Sequence, residues 1–300
     1  MFKRIISIGI ALILCLSYVT VSYADDEIDT VDVKGINKVI ETVSKIDELP
    51  KINSRFAVVL DRNSGAVIYG KNEYTKTKMA STTKIMTCIV VLENTNLSNI
   101  VEMSAKAAGT GGSKLKFKKG DKISVNDLLY GLMLRSGNDA AVALAEYVGG
   151  SVEGFATFMN KKANELGLEN THFETPHGLD SDNHYTTPYD LYLIFKAFLK
   201  NDTLVSIDGN SEYTLKYYRD SEPVEADILA TNGFLSNNFE MPTGYHITGW
   251  KTGTTEKAGN CIILEFVSDT TDEEFICLVS NAKDKEILYQ NVEDMLKEIY

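Results

Sequence analysis

"MASTTKIMT", residues 79–87, places Ser81 and Lys84 three positions apart at the front of an apolar run that continues to Leu92. In a helix that spacing puts both side chains on one face. A serine hydroxyl becomes a strong nucleophile only when a nearby base takes its proton. A lysine serves as that base when burial or a neighbouring cation keeps its amine neutral. The competing reading is a capped core helix with no chemistry. The pattern alone does not decide, because Ser-x-x-Lys recurs at Ser113–Lys116 and Ser280–Lys283. "SKLKFKKG", 113–120, alternates lysine with apolar residues and reads as a strand, which would send Ser113 and Lys116 to opposite faces. Ser280 lies at a strand end that runs into the polar turn "NAKDK". Only Ser81 opens a helix.

Outward from this point, strands are expected at both ends of the chain and helices between them. "RFAVVLD" and "AVIYGK" flank the turn "RNSG", and "YHITGWKTGTT", "AGNCIILEFVSD" and "EFICLVSNA" follow late in the chain, before a helix from about Lys285 to Tyr300. The middle reads as helical. Ser124 with Asp127 starts "SVNDLLYGLMLRS", "DAAVALAEYVGG" follows, Ser151 and Gly167 bound the next helix, and Pro188 opens "PYDLYLIFKAFLK". The fold class is therefore α+β: an antiparallel sheet formed by both chain ends and flanked by helices, with a mostly helical second lobe and a cleft between them.

Composition narrows the setting. Met1-Phe2-Lys3-Arg4, an apolar run from Ile5 to about Val19, and Ser22-Tyr23-Ala24 form a signal peptide over 1–24, so export is expected. Its removal takes Lys3 and Arg4 but no acid and moves the formal net charge from −12 to −14. That acidity argues against nucleic acid or anionic lipid as partners, so any membrane contact is expected only through an uncleaved signal segment, if at all. Residues 25–50 read as a lead-in, with a helix through Ile36, Val39, Ile40, Val43 and Ile46 that Pro50 ends, and 51–300 as one domain. Cys88, Cys261 and Cys277 are too scattered for a disulfide scaffold or a zinc site and read as buried thiols, the alternative being that Cys261 and Cys277 face each other on neighbouring strands. His172, His177 and His184, with Asp180 and Asp182, lack zinc-peptidase spacing and are expected to form a wall of the cleft, with neither metal nor cofactor.

Two further motifs decide between the readings of Ser81. Ser136-Gly137-Asn138 stands at the junction of two helices, whereas Ser181-Asp182-Asn183 and Ser236-Asn237-Asn238 lie in polar loops. Lys251-Thr252-Gly253 occurs once, on an expected strand beside Trp250. In this order the three motifs resemble those of the serine penicillin-recognising enzymes. The longer stretches "ASTTKIMT", "LRSGNDA", "NTHFETPHGLD" and "GWKTGTTEKAGNC" resemble the low-molecular-mass penicillin-binding proteins that are D-alanyl-D-alanine carboxypeptidases, over about residues 51–300.

The resemblance implies a β-lactamase/DD-peptidase-like fold and a reaction on peptidoglycan stem peptides, with β-lactam antibiotics as covalent inhibitors. Ser81 would be the nucleophile, Lys84 its base, Ser136 the relay to the leaving amine, and Asn138 the holder of the lysine and the substrate amide. Lys251, Thr252 and Thr254 would bind the terminal carboxylate, Gly253 would keep the strand edge clear, and the Ser81 and Thr254 N–H groups would form the oxyanion hole. Thr231 stands before Asn232 where many relatives carry arginine, which implies weaker carboxylate binding. Larger relatives add a β-rich domain and an amphipathic anchor. The closing "EDMLKEIY" is a short acidic helix unsuited to anchoring, so neither is expected. A class A β-lactamase would need Glu-x-x-x-Asn, but Glu165 is followed by Glu169. A penicillin-binding sensor without turnover is the other alternative, against which the complete motif set argues.

Overall fold

The computed structural model describes residues 51–297, so the expected signal peptide over 1–24 and the expected lead-in helix over 25–50 lie outside the described residues. In chain order the elements are β1 (Phe56–Asp61), β2 (Val67–Lys71), a 3-10 turn (Ala80–Thr83), α1 (Lys84–Asn94), β3 (Ile100–Glu102), α2 (Ala105–Gly109) and β4 (Lys122–Ser124). Helices α3 (Val125–Leu134), α4 (Asn138–Gly149), α5 (Val152–Glu165), α6 (Pro188–Phe198) and α7 (Asp202–Asp208) follow. The chain then returns to strands β5 (Glu212–Arg219), β6 (Glu222–Leu229), β7 (Tyr245–Thr255), β8 (Gly259–Ser268) and β9 (Glu274–Ala282), and α8 (Lys285–Lys297) closes it.

The main sheet runs β2-β1-β9-β8-β7 and is antiparallel throughout. Both chain ends build it, as the sequence predicts. Residues of β1 alternate between two cores. Val58 and Leu60 pack with Ile263, Ile276 and Leu278 against the helical lobe, while Ala57 and Val59 pack with Ile262, Leu264 and Val279 against Leu288, Val292 and Met295 of α8. Burial on both faces explains why β8 reads as a nearly continuous apolar run rather than an alternating one.

Two expectations need correction. The middle of the chain is not wholly helical: β3, β4, β5 and β6 form a second, four-stranded sheet. The β5–β6 hairpin turns through Asp220 and Ser221, both at positive φ (52° and 69°), the geometry a two-residue hairpin loop requires. Its strands are polar and largely solvated, so they lack the apolar signature of the main sheet. Nor is "SKLKFKKG" a strand. Lys116 turns to φ 66°, and the Leu115 and Lys116 N–H groups donate to the Asp139 carboxylate at 3.0 and 2.9 Å instead of to a neighbouring strand.

Helix ends fall where the caps stand. Ser124 Oγ accepts from Asp127 N, Ser151 Oγ from Gly154 N, and Thr187 Oγ1 from Asp190 N ahead of Pro188. Among the described residues the three cysteines, Cys88, Cys261 and Cys277, are buried and free. Cys277 lies opposite Leu264 and Cys261 opposite Gly253, so the two do not face each other.

Candidate active site

Ser81 stands not in a regular α-helix but in the 3-10 turn before α1, where residues i and i+3 eclipse. Its predecessor Ala80 adopts φ 48°, an uncommon conformation for a residue with a side chain. Hydroxyls hold the turn in place. Thr82 Oγ1 donates to the Met79 carbonyl oxygen at 2.6 Å and Thr83 Oγ1 to that of Ala80 at 2.8 Å. Behind it, His184 Nδ1 accepts from Glu174 N at 3.0 Å, which leaves Nε2–H to donate to Thr83 Oγ1 at 2.8 Å. Gly178, at φ 85°, lies so close to the Ala80 carbonyl that a Cβ there would collide with it.

Lys84 is wholly buried. Its Nζ lies 2.8 Å from each of three oxygens: Ser81 Oγ, Asn138 Oδ1 and the His177 carbonyl. Asn138 is fixed in turn, its Nδ2 donating to the Gly111 carbonyl oxygen and its main-chain N–H to that of Ser113, both at 2.8 Å. Ser136 turns through φ 59° at the α3–α4 junction, and its buried Oγ has no hydrogen-bond partner among the described residues.

The third motif lies on β7 at the edge of the main sheet, facing the turn. An ideal Cβ on Gly253 would come within 2.7 Å of Ser81 N, so only glycine permits this approach. Lys251 is wholly buried, and Thr252 Oγ1 pairs with Thr231 Oγ1 at 2.8 Å. The Thr254 hydroxyl is turned across the strand pair to Asn260 Oδ1 at 3.1 Å. The structure therefore brings Ser81, Lys84 and Asn138 into one bonded cluster with Gly253 against it, while Thr252 and Thr254 bond elsewhere.

Burial, reinforced by the Lys251 cation, holds the Lys84 ammonium well below the ordinary lysine value of 10.5. Burial also lowers Lys251, an effect that the carboxylate of Asp208 opposes. Sequence reasoning missed three supports of the cluster: the His177 carbonyl, the Asp139 carboxylate that shapes the 113–116 wall, and Asp208. The packed turn His177–Asp180 is expected from sequence, but a main-chain acceptor carries no residue-type signal. Among the described residues no His, Cys, Asp or Glu cluster is arranged to hold a metal ion.

A two-end antiparallel sheet and a helical lobe thus bring Ser81, Lys84 and Asn138 into one cluster with Gly253 of the third motif against it, on an α+β fold of the DD-peptidase class. The model of the Peptidase_S11 family (D-alanyl-D-alanine carboxypeptidase) matches residues 43–284, and the chain belongs to that family. The D-alanyl-D-alanine carboxypeptidase DacF of Bacillus subtilis is 36% identical over 214 residues, covering 70% of this chain and 53% of its own length. DacA of Escherichia coli is 33% identical over 259 residues, 82% of this chain and 58% of its own length. The chain thus spans little more than half the length of these relatives. The crystal structure of the Streptomyces K15 DD-transpeptidase superposes with a TM-score of 0.76 at 30% identity, covering 83% of this chain and 98% of that one.

Proposed function

We propose that the chain is an exported serine DD-peptidase: 1–24 the signal peptide, 25–50 a lead-in, and 51–300 the catalytic domain, which removes the terminal D-alanine of peptidoglycan stem pentapeptides. One observation carries the reading. The Nζ of the buried Lys84 reaches Ser81 Oγ and Asn138 Oδ1 together at 2.8 Å. A neutral amine there donates its two protons to Asn138 Oδ1 and the His177 carbonyl oxygen, and its lone pair receives the Ser81 hydroxyl proton.

As that proton moves to Nζ, Oγ bonds to the carbonyl carbon between the two D-alanines. The negative charge passes to the carbonyl oxygen, met by the N–H groups of Ser81 and Thr254, of which each such donor is typically worth ~3 kcal/mol. Collapse breaks the C–N bond, and the leaving amine takes a proton from Lys84 through the unpartnered Ser136 hydroxyl. Water then attacks the acyl-enzyme and returns the proton to Ser81. Lys251 and Thr252 bind the terminal carboxylate, and Thr254 assists from the strand edge. A penicillin carbonyl meets the same nucleophile and forms a long-lived acyl-enzyme. Glu165, which a lactamase reading would need, is engaged on the surface with Lys161 and Lys162.

The test is release of D-alanine from diacetyl-L-Lys-D-Ala-D-Ala by purified protein. Steady release in wild type and none in Ser81→Ala supports the reading. Penicillin labelling without any D-alanine release would replace it with a sensor.

A further inference from the structure

Asp208, the last residue of α7, is wholly buried beside the strand that carries Lys251. Its Oδ2 accepts from Trp250 N, and its own carbonyl oxygen accepts from Trp250 Nε1 at 2.8 Å. One residue thus holds the tryptophan from two sides, immediately before Lys251. The other carboxylate oxygen, Oδ1, is buried and has no hydrogen-bond partner among the described residues. Lys251 is equally shut off from water. Its Nζ lies 5.4 Å from the Trp250 ring centroid, and its hydrogen bond goes to the Thr252 carbonyl oxygen at 3.2 Å. An acid and a base are therefore both withdrawn from solvent beside Trp250.

A buried ammonium without a counter-charge releases its proton, and a buried carboxylate without one takes a proton up. We infer that Asp208 is a positioning residue that keeps Lys251 cationic and in register, so that recognition of the substrate carboxylate rests on a buried Asp208–Lys251 pair. This rests on the role proposed above for Lys251.

The surroundings are consistent with the pair. Lys251 is faced by Asp208 from α7 and by Cys88 and Lys84 from α1. Burial raises the Cys88 thiol far above its ordinary range, so it supplies no anion. Asp208 is faced by Lys251 and, from β8, by Glu265, whose carboxylate is bound to Arg62 and Thr248. Burial pushes the Asp208 carboxyl up to about 8, and the Trp250 N–H and the Lys251 cation oppose that rise, so Asp208 is the acid left to balance Lys251. The Lys251 cation in turn depresses Lys84, so a variant that discharges Lys251 weakens carboxylate binding and makes Lys84 easier to protonate.

Asp208→Asn preserves an oxygen for Trp250 N–H and the side-chain shape while removing the charge. The expected result is that kcat/KM at pH 8 for diacetyl-L-Lys-D-Ala-D-Ala falls at least ~10-fold more than for its C-terminal amide, with the alkaline limb of the acid substrate's profile moved to lower pH. Equal losses on acid and amide, with that limb unmoved, would reduce Asp208 to a structural support. A thermal cycle reads the pair without any activity. Asp208→Asn should lower Tm in wild type but raise it in the Lys251→Met background, where the carboxylate has lost its counter-charge. The same loss of Tm in both backgrounds overturns the pair. If neither peptide is turned over, the proposed function fails while the thermal cycle still decides the inference.

Discussion

Lys84 Nζ lies 2.8 Å from Ser81 Oγ in a position with no exposure to solvent. The other two Ser-x-x-Lys pairs have no such contact: Ser113 lies on the exposed 111–121 wall and Ser280 bonds to Cys261. Labelled penicillin should therefore attach to Ser81. Ser81→Ala should abolish labelling, and Ser113→Ala and Ser280→Ala should retain it. Mass spectrometry finding the adduct on another serine would end this assignment.

The two lysines define a bell-shaped pH profile for acylation by a carboxylate-bearing substrate. The rising limb is the deprotonation of Lys84, placed well below 10.5 by burial and Lys251. The falling limb is the loss of the Lys251 cation, also below 10.5 because of burial. Lys84→Arg, permanently protonated, should lose at least ~10³-fold in acylation rate. A pre-steady-state profile that stays flat between pH 5 and pH 10 would contradict both assignments.

Gly253 leaves no room for a methyl group, because a Cβ would lie 2.7 Å from Ser81 N and 3.0 Å from Ala80 Cβ. Gly253→Ala should push β7 and the nucleophile turn apart. A displacement approaching 1 Å at a reacting group costs about 10²-fold. The acylation rate constant, measured with Tm on the same sample, checks this; an unchanged rate would show that the turn gives way freely.

His184 supplies an acid-sensitive support. Burial lowers its pKa from 6.5 to about 4. The unfolded chain therefore binds the proton more tightly, so stability is complete above 6.5 and drains away as pH falls toward 4. The loss is on the order of 3 kcal/mol. Urea denaturation at pH 7 and pH 4.5 should show a smaller difference for His184→Gln than for wild type, and an equal difference would remove His184 as the cause.

The fold class and the bonded core of the site are legible in the sequence for definite reasons. Ser81 and Lys84 keep the spacing that the turn requires, Asn138 is recognisable through the Ser136-Gly137-Asn138 motif that accompanies them in the family resemblance, and β8 and β9 stand out because burial on both faces demands long apolar runs. The β5–β6 hairpin escapes notice because solvated strands with Tyr218 and Leu229 exposed carry no core pattern. The alternation of lysines in 113–120 misleads, since the Asp139 carboxylate rather than a neighbouring strand takes the backbone N–H groups. Asp208 is invisible for a different reason. Nothing local in "SIDGN" distinguishes a buried counter-charge from a helix-ending residue.

The pairing of β1 with β9, Phe56 opposite Ser280, has a consequence for biogenesis. Contacts so distant in the chain form late, after the loop between them has been closed. During synthesis Ser81 emerges long before the strand that carries Lys251, and that strand joins the sheet only through β8 and β9. A chain stopped at Ser268 would hold the nucleophile yet lack the strand that seats β7 and β8 on β1. The site proposed here is thus incomplete until β9 has been made, and a chain truncated at Ser268 should fail to label with penicillin.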